Sequence, residues 1–267
     1  MTPRCSVSGL LKVTIPASRH GTWEIRKFRV GRNEAKLHQG KERLRSIVIG
    51  GPIRAVAAGA YTKLCETTET FNEGIWMSDT PAECVDHLPP VKRATGDVLI
   101  NGLGLGLVLK NVLAKREVTR VVVVEKSPDV IALVAPHFAK DRRLEVVEAD
   151  AFEYEPRERF DVVWHDVWAH LDQDYLPEME RLKAKYADAG WQGCWSEPDV
   201  IPRVTYKPDR DEVNRVIREV GPVVFRSFLR EIGIEGLRAE LVIAGHFGVA
   251  AATGPFTIAI GLPTGRL

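Results

Sequence analysis

From Asp97 onward, apolar runs of strand character alternate with runs of helical period: VLIN, LVLKNVLAK, RVVVVE, PDVIALVAPHF, LEVVEAD and FDVVWHD. The strand-like runs are nearly continuous in Val, Ile and Leu, as in strands covered on both faces. That alternation predicts an α/β fold built on a mostly parallel sheet. Just upstream, Thr80-Pro81-Ala82-Glu83 forms a capping box with proline at the first helical position. A helix is expected from there to about His87 or Leu88, ended by Pro89-Pro90.

The flanks are less regular. Before about residue 75 the chain reads as β-rich, with short apolar runs such as SIVIG at 46–50 cut off by Gly51 and Pro52. After the alternating region, a helix is expected at about 175–187, a strand at Trp191–Ser196 and an amphipathic helix at Asp209–Val220. The apolar pair LVIAG and FTIAIG closes the chain. This divides the sequence into a basic, β-rich region (1–75), an α/β domain (76–200) and an α/β extension (201–267) that completes the sheet.

A chain of 267 residues, 45% of them hydrophobic, can bury a substantial core. Cys5, Cys65, Cys84 and Cys194 are dispersed without a CxxC pair, which argues against a zinc knuckle or a disulfide framework. Reduced thiols in a cytoplasmic protein are expected. Lys12 interrupts the N-terminal apolar run two residues after it begins, so MTPRCSVSGLLKV is not a secretory signal. The uncharged stretch 241–262 contains His246, several glycines and Pro255, and reads as two buried strands with a turn rather than a membrane span.

The net charge of +1 conceals an asymmetry. Residues 1–63 hold thirteen Lys and Arg against Glu24, Glu34 and Glu42. A basic arm on an acidic body suggests nucleic acid or another polyanion as partner, or an intramolecular contact.

Candidate chemistry begins at Asn101-Gly102-Leu103-Gly104-Leu105-Gly106, a loop that follows a strand and opens a helix. Glycines there let backbone N–H groups approach a ligand, and the helix N-terminus favours a phosphate or a carboxylate. The spacing is GxGxG, with Leu107 next, whereas a dinucleotide fingerprint requires GxGxxG. Glu125, followed by Lys126, ends the next strand about twenty residues on, where a carboxylate accepts ribose hydroxyls. Asp150-Ala151 follows the third strand, and the aspartate suits an adenine amino group or a helix cap. The fourth strand delivers Asp166, a candidate for acid–base work or for facing a cationic ligand, with His165 as a partner in proton transfer. Trp168 could offer its indole face to a cation, while Trp191 and Trp195 read first as wall or core residues.

The segments GDVLINGLGLG, VVVVEKSPDVI, EADAFEY and FDVVWHDVW resemble the successive motifs of class I methyltransferases, in particular the spermidine-synthase-like branch, over about residues 75–196. MSDTPAE together with GLGLG is also similar to a group of bacterial and bacteriophage methyltransferase-like proteins. The resemblance implies a Rossmann-like, doubly wound sheet that binds S-adenosyl-L-methionine or its decarboxylated form. It would place Gly102, Gly104 and Gly106 around the cofactor tail, Glu125 on ribose, and Asp150 and Ala151 at adenine.

Polyamine synthases carry D-x-x-D-P after the fourth strand; here Asp166 matches the first aspartate, but Ala169 and His170 replace the second aspartate and the proline. No NPPY-like tetrad or Pro-Cys nucleophile stands at that strand end either. The leading expectation is therefore a methyltransferase with an open acceptor, a small molecule or nucleic acid, and no metal. Aminopropyl transfer and a non-catalytic nucleic-acid-binding role are the alternatives, with no membrane partner and a homodimer left open.

Overall fold

The nearly continuous valine runs become the centre of a five-stranded, all-parallel sheet. In the computed structural model, which describes residues 4–5, 8–49, 53–67, 74–169, 173–197 and 209–231, the strands are β5 (Gly96–Asn101), β6 (Val118–Glu125), β7 (Leu144–Glu148), β8 (Val162–His165) and β9 (Trp191–Cys194). Their order across the sheet is β7-β6-β5-β8-β9. This is a Rossmann-like doubly wound sheet, and its strand order reverses between β5 and β8.

Val121, Val122, Val123 and Val124 are all buried, because helices cover both faces. Those helices include α4 (Leu107–Leu113), α5 (Pro128–Val134) and α6 (Leu176–Lys185). Ser127 caps α5 by accepting the Val130 N–H, with Pro128 in the first turn.

The N-terminal region forms a second sheet, antiparallel, in the order β1 (Ser18–His20), β2 (Trp23–Val30), β3 (Gly59–Glu66), β4 (Gly74–Ser78). Residue 76, where the second domain was expected to begin, lies inside β4. Ile25, Leu64 and Met77 of this sheet share one apolar core with Leu103, Leu105, Leu107 and Val108. The two sheets therefore pack as one body at the glycine loop.

Two expectations change. The run at Ser46–Ile49 belongs to an 18-residue helix, α1 (Arg32–Ile49), inserted between β2 and β3. Its Leu44 packs against Val216, Ile217, Phe225, Phe228 and Leu229 of α7 (Arg210–Glu231). Helix α7 follows the expected helix to Val220, is broken at Gly221 (φ 78°, ψ 168°), and resumes at Pro222. Likewise, α2 (Pro81–Asp86) starts behind Thr80 without the expected capping box, since the Thr80 hydroxyl bonds Ser78 instead, and Pro89-Pro90 opens a further helix, α3 (Leu88–Arg93). Proline is as well suited to the first turn of a new helix as to ending an old one.

The pair LVIAG and FTIAIG lies outside the described residues, as do His170, Gly51 and Pro52. No described helix is long and apolar enough to cross a membrane. All four cysteines are buried free thiols. Part of the basic N-terminal charge is met within the chain: Arg43 pairs with Glu219 and Arg54 with Asp86.

Candidate functional site

A cleft of about 460 Å³ opens at the carboxyl ends of the parallel strands, roofed by the N-terminal sheet. Its size falls in the range of small-molecule sites, and its position is the crevice where doubly wound sheets hold ligands. Trp23, Leu64, Trp76 and Met77 line one side. Gly102, Gly104, Glu125, Lys126, Asp150, Ala151 and Asp166 line the other.

The glycine loop is held from several directions. The Gly102 N–H donates to the Val124 carbonyl, and the Asp166 N–H donates to the Asn101 carbonyl, both at 2.8 Å. At Gly102 φ is +98°, and a β-carbon there would stand 2.0 Å from the Asp166 carbonyl oxygen, so only glycine fits. A β-carbon on Gly104 would instead meet the Met77 sulfur. That sulfur accepts the Leu105 N–H at 3.2 Å, so a loop donor is held by a soft, displaceable acceptor.

Glu125 organises the turn. One carboxylate oxygen accepts the Leu103 N–H and the other the Ser127 N–H, each at 2.9 Å. A carboxylate has about four acceptor sites, so two backbone bonds leave capacity for hydroxyls in the cleft. Asp150 is exposed and lines the cleft, while its Oδ1 accepts the Phe152 N–H at 2.8 Å. No helix directly follows Asp150, so the helix-cap role weighed for it in the sequence is replaced by a local turn bond beside its place in the cleft wall.

His165 does not join this site. It is fully buried and absent from the cleft lining; its Nδ1 accepts from Asn101 Nδ2 at 2.9 Å and its Nε2 lies 3.3 Å from Gln192 Oε1. Burial holds its pKa down to about 4, so it is a neutral core residue. Adjacent residues of a strand point to opposite faces, which separates His165 from Asp166. Asn101 is turned the same way as His165, toward the core. Leu103 acts through its backbone, and Gly106 packs against Phe138 at the start of α4.

The partner that Asp166 does have is His87, at the end of α2. His87 Nε2 lies 2.8 Å from Asp166 Oδ2, and His87 Nδ1 lies 2.6 Å from the Glu83 carbonyl. Both ring nitrogens thus face oxygen atoms, an arrangement that a doubly protonated ring beside an ionised Asp166 satisfies. Burial works against that charge, but the Asp166 carboxylate, with Glu83 and Asp86 nearby, raises the pKa to about 9. The Glu83 carboxyl lines the cleft one turn away. Neither residue was a candidate in the sequence. The available signal was a Glu and a His at i, i+4 on a short helix just upstream of the glycine strand.

Aromatic rings complete the walls. Trp23 and Trp76 stand 5.3 Å apart, Trp168 donates its indole N–H to Glu178 at 2.9 Å, and Trp195 donates to Asp86 at 3.3 Å. Trp191 lies outside the lining, stacked on Trp164. Among the described residues, five carboxylates (Glu83, Glu125, Asp150, Asp166, Glu178) and one cation (Lys126) line the cleft. It is built for a ligand carrying hydroxyls and positive charge.

No protein-family model matches the chain, and no curated protein sequence matches it. Among solved structures it is similar to spermidine synthase from Thermotoga maritima, at 18% identity over 77% of this chain and 63% of that one, with a TM-score of 0.39. It is also similar to the N-methyltransferase NodS from Bradyrhizobium japonicum WM9 (13% identity, 50% of this chain and 79% of that one, TM-score 0.34). A third likeness is to the 23S rRNA methyltransferase ErmE (20% identity, 30% and 33%, TM-score 0.26), of which the chain spans about a third.

Proposed function

We propose that this protein binds S-adenosylmethionine in the cleft and transfers its methyl group to an acceptor. One observation carries the reading: a GxGxG loop, Glu125, Asp150 and Asp166 follow four successive strands of a doubly wound sheet and line a single cleft. The cleft fits such a cofactor. Glu125 retains acceptor capacity, and the acidic groups of the lining suit a cationic sulfur. When bound, the cofactor supplies an electrophilic methyl carbon attached to a sulfonium.

The chain's own contribution is then mainly alignment and charge. Glu125 holds the ribose, the glycine loop the amino-acid tail, and Asp150 with Ala151 the adenine. Asp166, fixed by His87, faces the reactive end beside Trp168. Calorimetry tests the reading: S-adenosylmethionine should bind at micromolar concentration, and Gly104→Asp or Glu125→Ala should abolish binding. Absence of binding of both S-adenosylmethionine and S-adenosylhomocysteine overturns it.

A second reading, aminopropyl transfer from the decarboxylated cofactor, has one observation in its favour. Glu83 and Glu178 join Asp166 in the cleft, giving it acidic groups in addition to the position that Ala169 leaves apolar. Turnover of putrescine with that cofactor would support this reading, and its absence removes it. Nucleic acid as acceptor draws support only from the basic first 63 residues, and salt-dependent RNA binding tests it.

A further inference from the structure

Among the described residues, a cluster of two cations and three carboxylates lies behind the cleft. Arg54 Nη1 is 2.5 Å from Asp86 Oδ2, and His87 Nε2 is 2.8 Å from Asp166 Oδ2. Those two pairs are tight and mutually satisfied. Glu83 has only a long contact, Oε1 to Arg54 Nη2 at 3.7 Å, from a cation already matched by Asp86. These five described groups sum to zero charge with Glu83 protonated and to one negative charge with Glu83 ionised. Of the three carboxylates, Glu83 is thus the one whose charge lacks a close cation, and it lines the cleft.

We infer that Glu83 is the residue by which the cleft tells a sulfonium from a neutral thioether: it holds a proton in the empty protein and releases that proton to solvent when a cation occupies the cleft. The inference rests on the cofactor reading proposed above. The groups facing Glu83 are Arg54 from the segment before β3, Asp86 and His87 from α2 and its end, and Asp166 after β8. Burial dominates and raises the carboxyl; Asp86 and Asp166 add to this, and His87 and Arg54 oppose it, leaving a pKa of about 7. Near neutral pH the group is therefore poised between its two forms. A sulfonium in the cleft favours the ionised form, whereas a thioether leaves the balance where it was. The charged cofactor would then gain affinity as pH rises through neutrality and its spent product would not, which favours product release.

The test is calorimetric titration of the full chain with S-adenosylmethionine and with S-adenosylhomocysteine, each in two buffers of different ionisation enthalpy near pH 7. Both ligands carry the same amino and carboxyl groups, so the difference in protons released isolates the charge on sulfur. The expected result is extra proton release with S-adenosylmethionine. The affinity ratio of the two ligands should rise on the order of tenfold between mildly acidic and mildly alkaline pH, one pKa unit of coupling being a factor of ten. Glu83→Gln, folded by circular dichroism and still binding S-adenosylhomocysteine, should lose the extra release and flatten the ratio.

Should Glu83→Gln not fold, infrared difference spectra of the unaltered protein decide. A protonated-carboxyl band must disappear on adding S-adenosylmethionine and persist with S-adenosylhomocysteine. Equal proton release for both ligands in the unaltered protein overturns the inference while leaving the cofactor reading intact; failure of both ligands to bind overturns the cofactor reading itself.

Discussion

The carbonyl oxygen of Asp166 lies 2.0 Å from the point where a β-carbon on Gly102 would stand. This approach joins the ends of β5 and β8, the two central strands between which the sheet reverses its winding. It fixes the glycine loop and the fourth-strand aspartate as one rigid unit. Gly102→Ala must therefore displace backbone and also adopt a left-handed φ, costing roughly 3 kcal/mol or preventing folding. Gly104→Ala also takes a left-handed φ (+49°) and presses on the Met77 sulfur, but displaces a side chain rather than backbone, so it should cost only about 1–2 kcal/mol and lose cofactor affinity as well. Urea denaturation and calorimetry on the two variants separate the effects. Equal destabilisation by both would contradict the assignment of Gly102 to scaffold and Gly104 to ligand contact.

The parallel sheet was legible because β5, β6 and β8 are buried on both faces, which forces continuous valine and isoleucine whatever the surroundings. The glycine loop, Glu125 and Asp150 were legible because each follows its strand directly in sequence. Helix α1 was not, because its apolar stripe is completed by α7, far along the chain. Gly40, an unfavourable residue in mid-helix, sits there because a β-carbon would stand 2.7 Å from Val224. The His87–Asp166 pair spans 79 residues and depends on how α3, which His87 precedes, docks against β8, which no local pattern encodes.

That pair makes stability depend on pH. The folded His87 pKa, at about 9, lies above the ordinary value of 6.5, so its contribution is complete below pH 6.5 and is lost as pH rises through about 9. A fully buried group with this shift contributes on the order of 3 kcal/mol. Glu83, also raised, produces a fall of the same sign that ends near pH 7, and the buried thiols of Cys84 and Cys194, both raised, add one that begins near pH 9, so the slope between about pH 7 and 8.5 belongs to His87. Unfolding free energies measured from pH 6 to 10 should decline in the unaltered protein. In His87→Gln the decline between about pH 7 and 8.5 should become shallower, and an unchanged slope there would refute the protonated-ring assignment.

His165 should behave in the opposite sense. Its Nδ1 accepts a hydrogen bond from Asn101 Nδ2, so protonating the ring in acid would set two donors against each other in a buried space. With the folded pKa held down to about 4, its contribution is present above the unfolded value of 6.5 and is lost as pH falls through 4. Replacement by Leu should therefore lower stability at neutral pH by roughly 1–3 kcal/mol, through the donors of Asn101 and the acceptor of Gln192 left unpaired. It should also remove the part of the acid sensitivity that arises between pH 6.5 and 4. Cofactor affinity, measured under conditions where the variant is fully folded, should change far less than stability. A loss of affinity exceeding the loss of stability would return His165 to the site that its burial and its partners assign to the core.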